Sequence, residues 1–235
     1  MAGGNLDKTG VRVLGLHSFR TNKRILEKQL RLSGWLQRLE PENVTFTFPD
    51  APHEASGPIP EDVKAFGDQG TYREWWNADQ DRDTKAWHYH GSDESLSYLE
   101  SVWDERGPFD VILGFSQGAA MAALFSGMLK SKEKALPKCI VCISGIKVRD
   151  SRFDGWYEGI RQLPSFHLYG SHDPVKIYTN GLIRCFEDPV VVQHERGHVV
   201  PKLGVADEAK LVAFIRRWAK GAASNELSAS NESKL

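Results

Sequence analysis

The sequence predicts one α/β domain built on a doubly wound parallel sheet of about six strands, flanked by helices. Short apolar runs bounded by glycine or proline, which are typical of buried strands, alternate with longer segments whose apolar residues recur at helical spacing. This alternation favours a parallel sheet covered on both faces. A chain of 235 residues suits one such domain with a sizeable core and is short for two. We therefore expect a single domain over residues 1–220, followed by a tail.

The predicted strands are the short apolar runs. The second run, NVTFTF, alternates apolar and polar side chains, as a half-buried strand does, whereas the other runs are mostly apolar. In chain order, these runs cover residues 11–16, 43–48, 111–113, 139–144, 165–169 and 189–192.

The predicted helices are the segments between the strands, in which apolar residues recur every three or four positions. The first of them carries one apolar stripe from Ile25 to Leu39, and Pro41 follows, as expected just beyond a helix end. The predicted helices cover about residues 25–39, 92–106, 119–130, 175–186 and 206–220.

Two aromatic stretches, residues 53–91 and 146–163, follow neither pattern. A segment as long as the first, without regular structure, is typical of a lid or binding loop, so we predict a lid-like insertion at about 53–91. The tryptophans of these stretches either line an apolar substrate pocket or pack the loops against the core, and the sequence leaves both interpretations open. The candidate pocket residues are Trp75, Trp76, Trp87 and Trp156.

Composition excludes several classes of function. A formal net charge of −1 shows no basic excess, which argues against nucleic acid as a partner. No apolar run approaches the roughly 18 residues that would span a bilayer. Cys139 and Cys142 lie three residues apart on a predicted strand and point to opposite faces. We therefore expect two core thiols there, and neither a disulfide nor a shared metal.

The motif GFSQG, residues 114–118, lies between a predicted strand and a predicted helix. A G-x-S-x-G match in this context forms a sharp turn that lifts the serine hydroxyl above the sheet. Side chains at positions 114 and 118 would collide with the neighbouring strand and helix, so glycine is required at both. Close packing of a helix on a sheet would also use glycines, but the motif makes Ser116 the candidate nucleophile.

A serine hydroxyl needs a general base, and the base needs an acid that orients it. In a sheet of this kind both partners lie in loops after strands, in the chain order serine, acid, histidine. Asp173 follows the fifth predicted strand and His198 follows the sixth. We predict that Ser116, Asp173 and His198 form a catalytic triad, with Asp150 and His172 as the nearest competitors.

The same chemistry requires an oxyanion hole made of two N–H donors. We predict the backbone N–H of Gln117, the residue after the nucleophile, as one donor. The loop after the first strand supplies the other, and Phe19 N–H is the candidate if that strand lies beside the strand of Ser116. His17, in the same loop, is predicted to support the site structurally and not to act as a second base.

One rival motif is HERGH, residues 194–198, which matches the zinc-protease pattern H-E-x-x-H. That chemistry requires both histidines on one face of a helix. The preceding valine run, Gly197 within the motif and Pro201 after it all oppose a helix. The sequence therefore predicts no metal site here.

Five motifs together carry a family resemblance: LHSFRTN, FPDAPH, GFSQGAAMA, YGSHDPV and ERGHVVP. With them the chain resembles the FSH family of serine hydrolases, within the α/β-hydrolase superfamily, from about Val11 to Trp218. The resemblance implies the compact α/β-hydrolase fold and hydrolysis of carboxylic esters by Ser116, Asp173 and His198. No pterin or NADP fingerprint is present, so no cofactor is expected.

The tail, residues 221–235, is rich in serine, alanine, asparagine and glutamate and is predicted to be disordered. It ends in Ser233-Lys234-Leu235, a peroxisomal address. The sequence therefore predicts a peroxisomal import receptor as a partner and the peroxisome as the location, with the cytoplasm as the alternative.

Taken together, these features predict a serine carboxylesterase that forms an acyl-enzyme on Ser116 and hydrolyses small-molecule esters with medium or long acyl groups. A peroxisomal setting makes acyl-thioesters an alternative substrate class. Two further alternatives are a ligand receptor that keeps the triad without turnover and, from the H-E-x-x-H match, a zinc peptidase.

Overall fold

The computed structural model describes residues 10–66 and 70–220. The predicted disordered tail and its Ser233-Lys234-Leu235 signal lie outside the described residues, and both stay predictions.

Ten strands are present in the described part of the chain, and six of them form one parallel sheet at its centre. The strands are β1 (Val11–Leu16), β2 (Val44–Thr47), β3 (His53–Glu54), β4 (Arg73–Glu74), β5 (Asn77–Gln80), β6 (Trp87–His90), β7 (Val111–Phe115), β8 (Cys139–Ile143), β9 (Ser165–Gly170) and β10 (Val190–His194). The central sheet has the order β10-β9-β8-β7-β1-β2, which confirms the predicted six-stranded, doubly wound architecture.

Helices cover both faces of this sheet. They are α1 (Lys23–Leu32), α2 (Trp35–Leu39), α3 (Glu61–Lys64), α4 (Ser92–Arg106), α5 (Gln117–Ser131), α6 (Asp154–Gly159), α7 (Lys176–Ile183) and α8 (Val205–Ala219), with short 3-10 turns at Glu40–Glu42 and Ser151–Phe153. None of the helices among these residues is long and apolar enough to cross a membrane.

The strand order reverses between β1 and β7, and this reversal positions the site. Successive strands extend the sheet from β1 to β2 on one side and from β7 through β8 and β9 to β10 on the other. Leu16 at the end of β1 pairs with Gly114 near the end of β7. The loops that follow these two strands therefore face each other, which is the point where ligands bind in open α/β sheets.

The core consists of two apolar layers, one on each face of the sheet. Cys142 belongs to the layer that includes α4 and α5, and Cys139 belongs to the layer that includes α1 and α8. The two thiols therefore point to opposite faces, as the strand period predicts, and both are free. Burial raises the pKa of the Cys139 thiol to about 12 and also raises that of Cys142, so both are unreactive core groups.

The prediction of one continuous helix over residues 25–39 is wrong. The segment forms two helices, α1 and α2, separated at Gly34, which has a φ of 84° that ordinary L residues rarely adopt. Leu32, the last residue of α1, lies off the buried face of that helix and is 69% exposed. A stripe of apolar residues at helical spacing cannot reveal such a break, because it continues on the far side of the turn.

The prediction that residues 53–91 lack regular structure is also wrong in part. Two small antiparallel ladders, β3 with β4 and β5 with β6, lie in this segment together with α3. Strands of two to four residues are too short for a period to be read from the sequence. The lid role of this segment stays a prediction.

Candidate active site

The turn between β7 and α5 holds Ser116 in a strained conformation, with φ 54° and ψ −113°. A β-carbon on Gly114 would overlap the carbonyl of Gly118, and one on Gly118 would overlap the carbonyl of Leu16. Both glycines are therefore required by close backbone contacts with the helix and with β1, as predicted. Strain of this kind concentrates at functional sites and persists only where the surroundings enforce it.

Three side chains from three different loops form one hydrogen-bonded chain. The Ser116 hydroxyl and His198 Nε2 are 2.8 Å apart, and His198 Nδ1 and Asp173 Oδ2 are 2.9 Å apart. The carboxylate end of this chain is buried, whereas His198 is partly exposed. With the imidazole neutral, Nδ1–H donates to the carboxylate and Nε2 accepts from the hydroxyl, which is the tautomer that a general base needs.

Asp173 is held in its charged form by its neighbours. Burial opposes the charge, but the nearby Ser144 hydroxyl, the Val175 N–H and the His198 ring together outweigh it and hold the pKa below its ordinary value. Val175 N–H donates to Asp173 Oδ1 at 2.9 Å. The Ser144 hydroxyl is buried and lies near this carboxylate, although it is outside hydrogen-bonding geometry. The carboxylate is therefore charged and oriented toward the histidine.

The two competing residues have structural roles. His172 Nδ1 donates to the carbonyl of Glu195 at 2.8 Å, so this side chain supports the loop that carries His198. Asp150 begins the 3-10 turn Ser151–Phe153, where its carboxylate accepts from the Arg152 N–H at 3.0 Å. Neither takes part in the hydrogen-bonded chain at Ser116.

His17 lies in the loop after β1 and is completely buried. Its Nε2 accepts from the Ala51 N–H at 2.9 Å, so its proton is on Nδ1, which lies 2.8 Å from the Ser18 carbonyl oxygen. Burial is the main reason that its pKa falls to about 4. A ring that is neutral and bonded at both nitrogens supports the loop and is not free to act as a base, in agreement with its predicted structural role.

The two predicted oxyanion donors lie at the same end of the sheet, one at the start of α5 and one in the loop after β1. Gln117 is the first residue of α5, and the first N–H groups of a helix have no partner within the helix. Phe19 follows β1 and lines the same cavity as Ser116. The adjacent strands β1 and β7 therefore bring both residues close to Ser116, and the assignment of the two N–H groups as donors remains a prediction.

A cavity of about 420 Å³ opens beside Ser116 and His198. Its walls come from the end of α1, from α3 and its flanks, and from the loop after β10. The apolar lining residues include Phe19, Leu32, Val63, Phe66, Val199 and Val200. This volume and lining are in the range of small-molecule sites.

The predicted tryptophan wall of the pocket is wrong for this cavity. Trp75 and Trp76 are buried in the core, and Trp87 and Trp156 are half-buried against it. None of the four is among the described residues that line the cavity at Ser116. The alternative interpretation, that these tryptophans pack the loops against the core, describes them better.

The cavity residues that the sequence did not indicate are Leu32, Val63 and Phe66. Leu32 belongs to the apolar stripe from Ile25 to Leu39, which favours a buried position, but at the end of α1 it is exposed and lines the cavity. Val63 and Phe66 lie in a segment with few apolar residues and no period. Only their position opposite the loop after β10 brings them to the site.

The H-E-x-x-H match lies on a strand end and a loop. His194 is the last residue of β10 and His198 lies in the loop beyond it, so the helix that this motif requires is absent there. The described residues contain no cluster of three or more histidine, cysteine, aspartate or glutamate side chains that could hold a metal ion.

Similarity to known proteins extends over most of the chain. Residues 7–209 match the model of the family described as Serine hydrolase (FSH1). Esterase CG5412 of Drosophila melanogaster is 31% identical over 204 residues, which cover 81% of this chain and 68% of the fly protein. Esterase OVCA2 of Xenopus tropicalis is 28% identical over 210 residues, which cover 84% of this chain and 89% of the frog protein.

Among solved structures, esterase PE8 has the same fold. It superposes with a TM-score of 0.56 at 21% identity, and the alignment covers 89% of this chain and 93% of PE8.

Proposed function

The chain belongs to the FSH1 serine hydrolase family, and from this premise we propose that it is a carboxylic ester hydrolase whose acyl-enzyme forms on Ser116. The observation that carries the proposal is the unbroken hydrogen-bonded chain from Ser116 through His198 to Asp173, at distances of 2.8 and 2.9 Å. The relatives named as esterases support the choice of an ester as the substrate.

In the proposed acylation step, His198 Nε2 takes the hydroxyl proton while Ser116 Oγ attacks the ester carbonyl. The negative charge then forms on the carbonyl oxygen, where the N–H groups of Gln117 and Phe19 would stabilise it. His198 returns the proton to the leaving alcohol, and the acyl group stays on Ser116. Asp173 keeps the ring oriented and stabilises its charged form, without taking up the proton itself.

In the proposed deacylation step, a water molecule replaces the alcohol. His198 takes a proton from the water as its oxygen attacks the acyl carbonyl, and the ring then protonates Ser116 Oγ as the carboxylic acid leaves. The 420 Å³ cavity beside Ser116 supports an acyl group of medium or long chain, because most of its lining is apolar. Leu32, Val63 and Phe66 are the residues that we assign to the acyl chain.

The proposal is tested by labelling with a fluorophosphonate, which phosphonylates activated serines. Ser116→Ala should abolish the label and the steady-state hydrolysis of p-nitrophenyl esters. Ser126→Ala is the matched control, because Ser126 lies on the same helix but is buried and donates to the Ala122 carbonyl at 2.8 Å. Undiminished labelling of Ser116→Ala would overturn the assignment. Binding of esters without turnover by the wild-type protein would favour a receptor instead.

A further inference from the structure

Residues 73–76 connect the two loops that carry the proposed oxyanion donors. At one end, the Arg73 N–H donates to the carbonyl oxygen of Thr21, in the loop after β1, at 2.6 Å. At the other end, Trp75 and Trp76 hydrogen-bond with Gln117, the residue after the nucleophile. The 73–76 segment therefore bridges the two sides of the site, although it belongs to neither loop.

On the side of the nucleophile, the segment holds the Gln117 side chain at both polar ends. Trp75 N–H donates to Gln117 Oε1, and Gln117 Nε2 donates to the Trp76 carbonyl, each at 2.8 Å. Gln117 is buried, so these two bonds take the place of water. A side chain held in this way restricts the orientation of its own peptide unit, which is the proposed first donor.

On the side of β1, the Trp75 side chain holds the start of the loop. Its indole N–H donates to the His17 carbonyl at 2.9 Å, and its ring packs against the His17 ring with centroids 5.2 Å apart. Trp75 is completely buried. One residue thus bonds through its backbone to the nucleophile turn and through its side chain to the loop that leads to Phe19.

Glu74 adds a second connection on the same side. Its buried carboxylate accepts from Arg20 Nε at 3.2 Å and from the Ser56 hydroxyl at 2.6 Å. Arg20, the residue after Phe19, has a φ of 52°, and its guanidinium lies 4.5 Å from the centre of the Phe19 ring. The carboxylate therefore fixes a strained turn immediately after the proposed second donor.

We propose that the 73–76 segment is a positioning element for the oxyanion hole, with Trp75 as its central residue. The inference rests on the proposed function, because it concerns the same reaction. The two donor N–H groups come from separate loops, and they stabilise an oxyanion only if both lie within hydrogen-bonding distance of one oxygen atom. The segment sets that spacing by bonding to Gln117 on one loop and to His17, Arg20 and Thr21 on the other.

The test compares two variants that each remove hydrogen bonds of the segment. Trp75→Phe removes the indole N–H and keeps an aromatic ring, and Gln117→Met removes both side-chain bonds and keeps the backbone N–H. For each we expect kcat for ester hydrolysis to fall about 10- to 100-fold, because a small misplacement of a donor has a large effect on rate. We expect KM and the pH profile to stay unchanged, because neither variant alters the acyl cavity or the triad.

The affinity for a trifluoromethyl ketone is a second measurement, and it would not change if the segment only stabilised the fold. Such a ketone forms a tetrahedral adduct with an activated serine, so its affinity should weaken in parallel with kcat/KM. Tyr157→Phe is the matched control, since it removes one buried hydrogen bond, from Val148 N–H at 3.0 Å, that involves neither loop. It should lower thermal stability to a similar extent and leave kcat and ketone affinity unchanged.

Either of two results would overturn the inference. One is an unchanged kcat in folded Trp75→Phe and Gln117→Met, and the other is an equal loss of kcat in the Tyr157→Phe control. If Trp75→Phe does not fold, Gln117→Met alone decides between these outcomes, because methionine is close to glutamine in size. Failure of the proposed function is distinguishable, since the wild-type protein would then show neither fluorophosphonate labelling of Ser116 nor turnover.

Discussion

The α-carbon of Gly118 lies against the carbonyl oxygen of Leu16 so closely that no β-carbon fits between them. This contact fixes the height of α5 above the end of β1, and therefore the position of Ser116 relative to the loop that carries Phe19. We expect Gly118→Ala to push α5 away from β1 and to lower kcat/KM at least 100-fold, because a misplacement of about 1 Å has that effect on rate. The measurement is ester hydrolysis by folded protein.

Gly155→Ala is the matched control for this substitution. Gly155 lies in α6, and a β-carbon there would have no atom within 4 Å. Alanine also favours a helix over glycine by about 1 kcal/mol, so the control should keep full activity and equal or higher stability. Full activity in folded Gly118→Ala would show that the contact with Leu16 does not position the nucleophile.

The buried carboxylate of Asp173 is the second target. Asp173→Asn keeps the size of the side chain but favours the wrong tautomer of His198, so kcat should fall by about 10²- to 10⁴-fold. Because the pKa of Asp173 lies below its ordinary value of 3.8, its charged form persists as the pH falls. We therefore expect Asp173 to contribute nothing to the pH dependence of wild-type kcat above about pH 4.

Asp150 provides a matched control for the substitution of Asp173. Asp150→Asn alters the nearest competing acid, whose carboxylate bonds to Arg152. It should retain wild-type kcat at neutral pH. If the two variants lost activity equally, Asp173 would not be the acid that orients His198.

The hydrogen-bonded arrangement of Ser116, His198 and Asp173 could be predicted from the sequence because each residue belongs to a local pattern. Ser116 lies in a motif whose glycines are required by backbone contacts, and Asp173 and His198 each follow a strand that ends at the same edge of the sheet. The rules of parallel sheets then bring the three loops together without any knowledge of side-chain packing.

The walls of the cavity could not be predicted, because they depend on where loops pack. Trp75 and Trp76 lie in a segment without an apolar period, yet both side chains are buried, and the Trp75 indole donates to the His17 carbonyl. Leu32 belongs to an apolar stripe, yet at the end of α1 it is exposed and lines the cavity. In both cases the result depends on how loops and helix ends pack, which the apolar pattern does not record.

The cavity beside Ser116 gives a prediction that distinguishes its lining residues from the tryptophans. Val63→Phe places a larger side chain in the wall beside Ser116, so kcat/KM for octanoyl esters should fall about 10-fold while that for acetyl esters stays unchanged. Trp156→Phe should leave the chain-length profile unaltered, because Trp156 does not line the cavity. A changed profile in Trp156→Phe, with none in Val63→Phe, would place the acyl site at the tryptophans after all.

Val205→Phe controls for the added aromatic ring, since Val205 is 87% exposed and lies outside the cavity. Its chain-length profile should match that of the wild-type protein.

Glu42 gives a prediction about stability. Hydrogen bonds from Arg216 and Lys220, at 2.8 and 2.9 Å, are the main reason that its pKa falls from 4.5 to about 2. A carboxylate with a lowered pKa stabilises the fold above its unfolded-state pKa, and this contribution is lost as the pH falls from about 4.5 to about 2. Glu42→Gln should therefore reduce the free energy of unfolding by about 1–2 kcal/mol at pH 7, since Arg216 is largely exposed. In urea titrations this difference should shrink below pH 4.5.

Glu27→Gln is the control, because it removes an exposed ion pair with Arg31, and it should have a smaller effect on the free energy of unfolding. A difference between Glu42→Gln and wild type that is independent of pH would contradict the assigned ion pair.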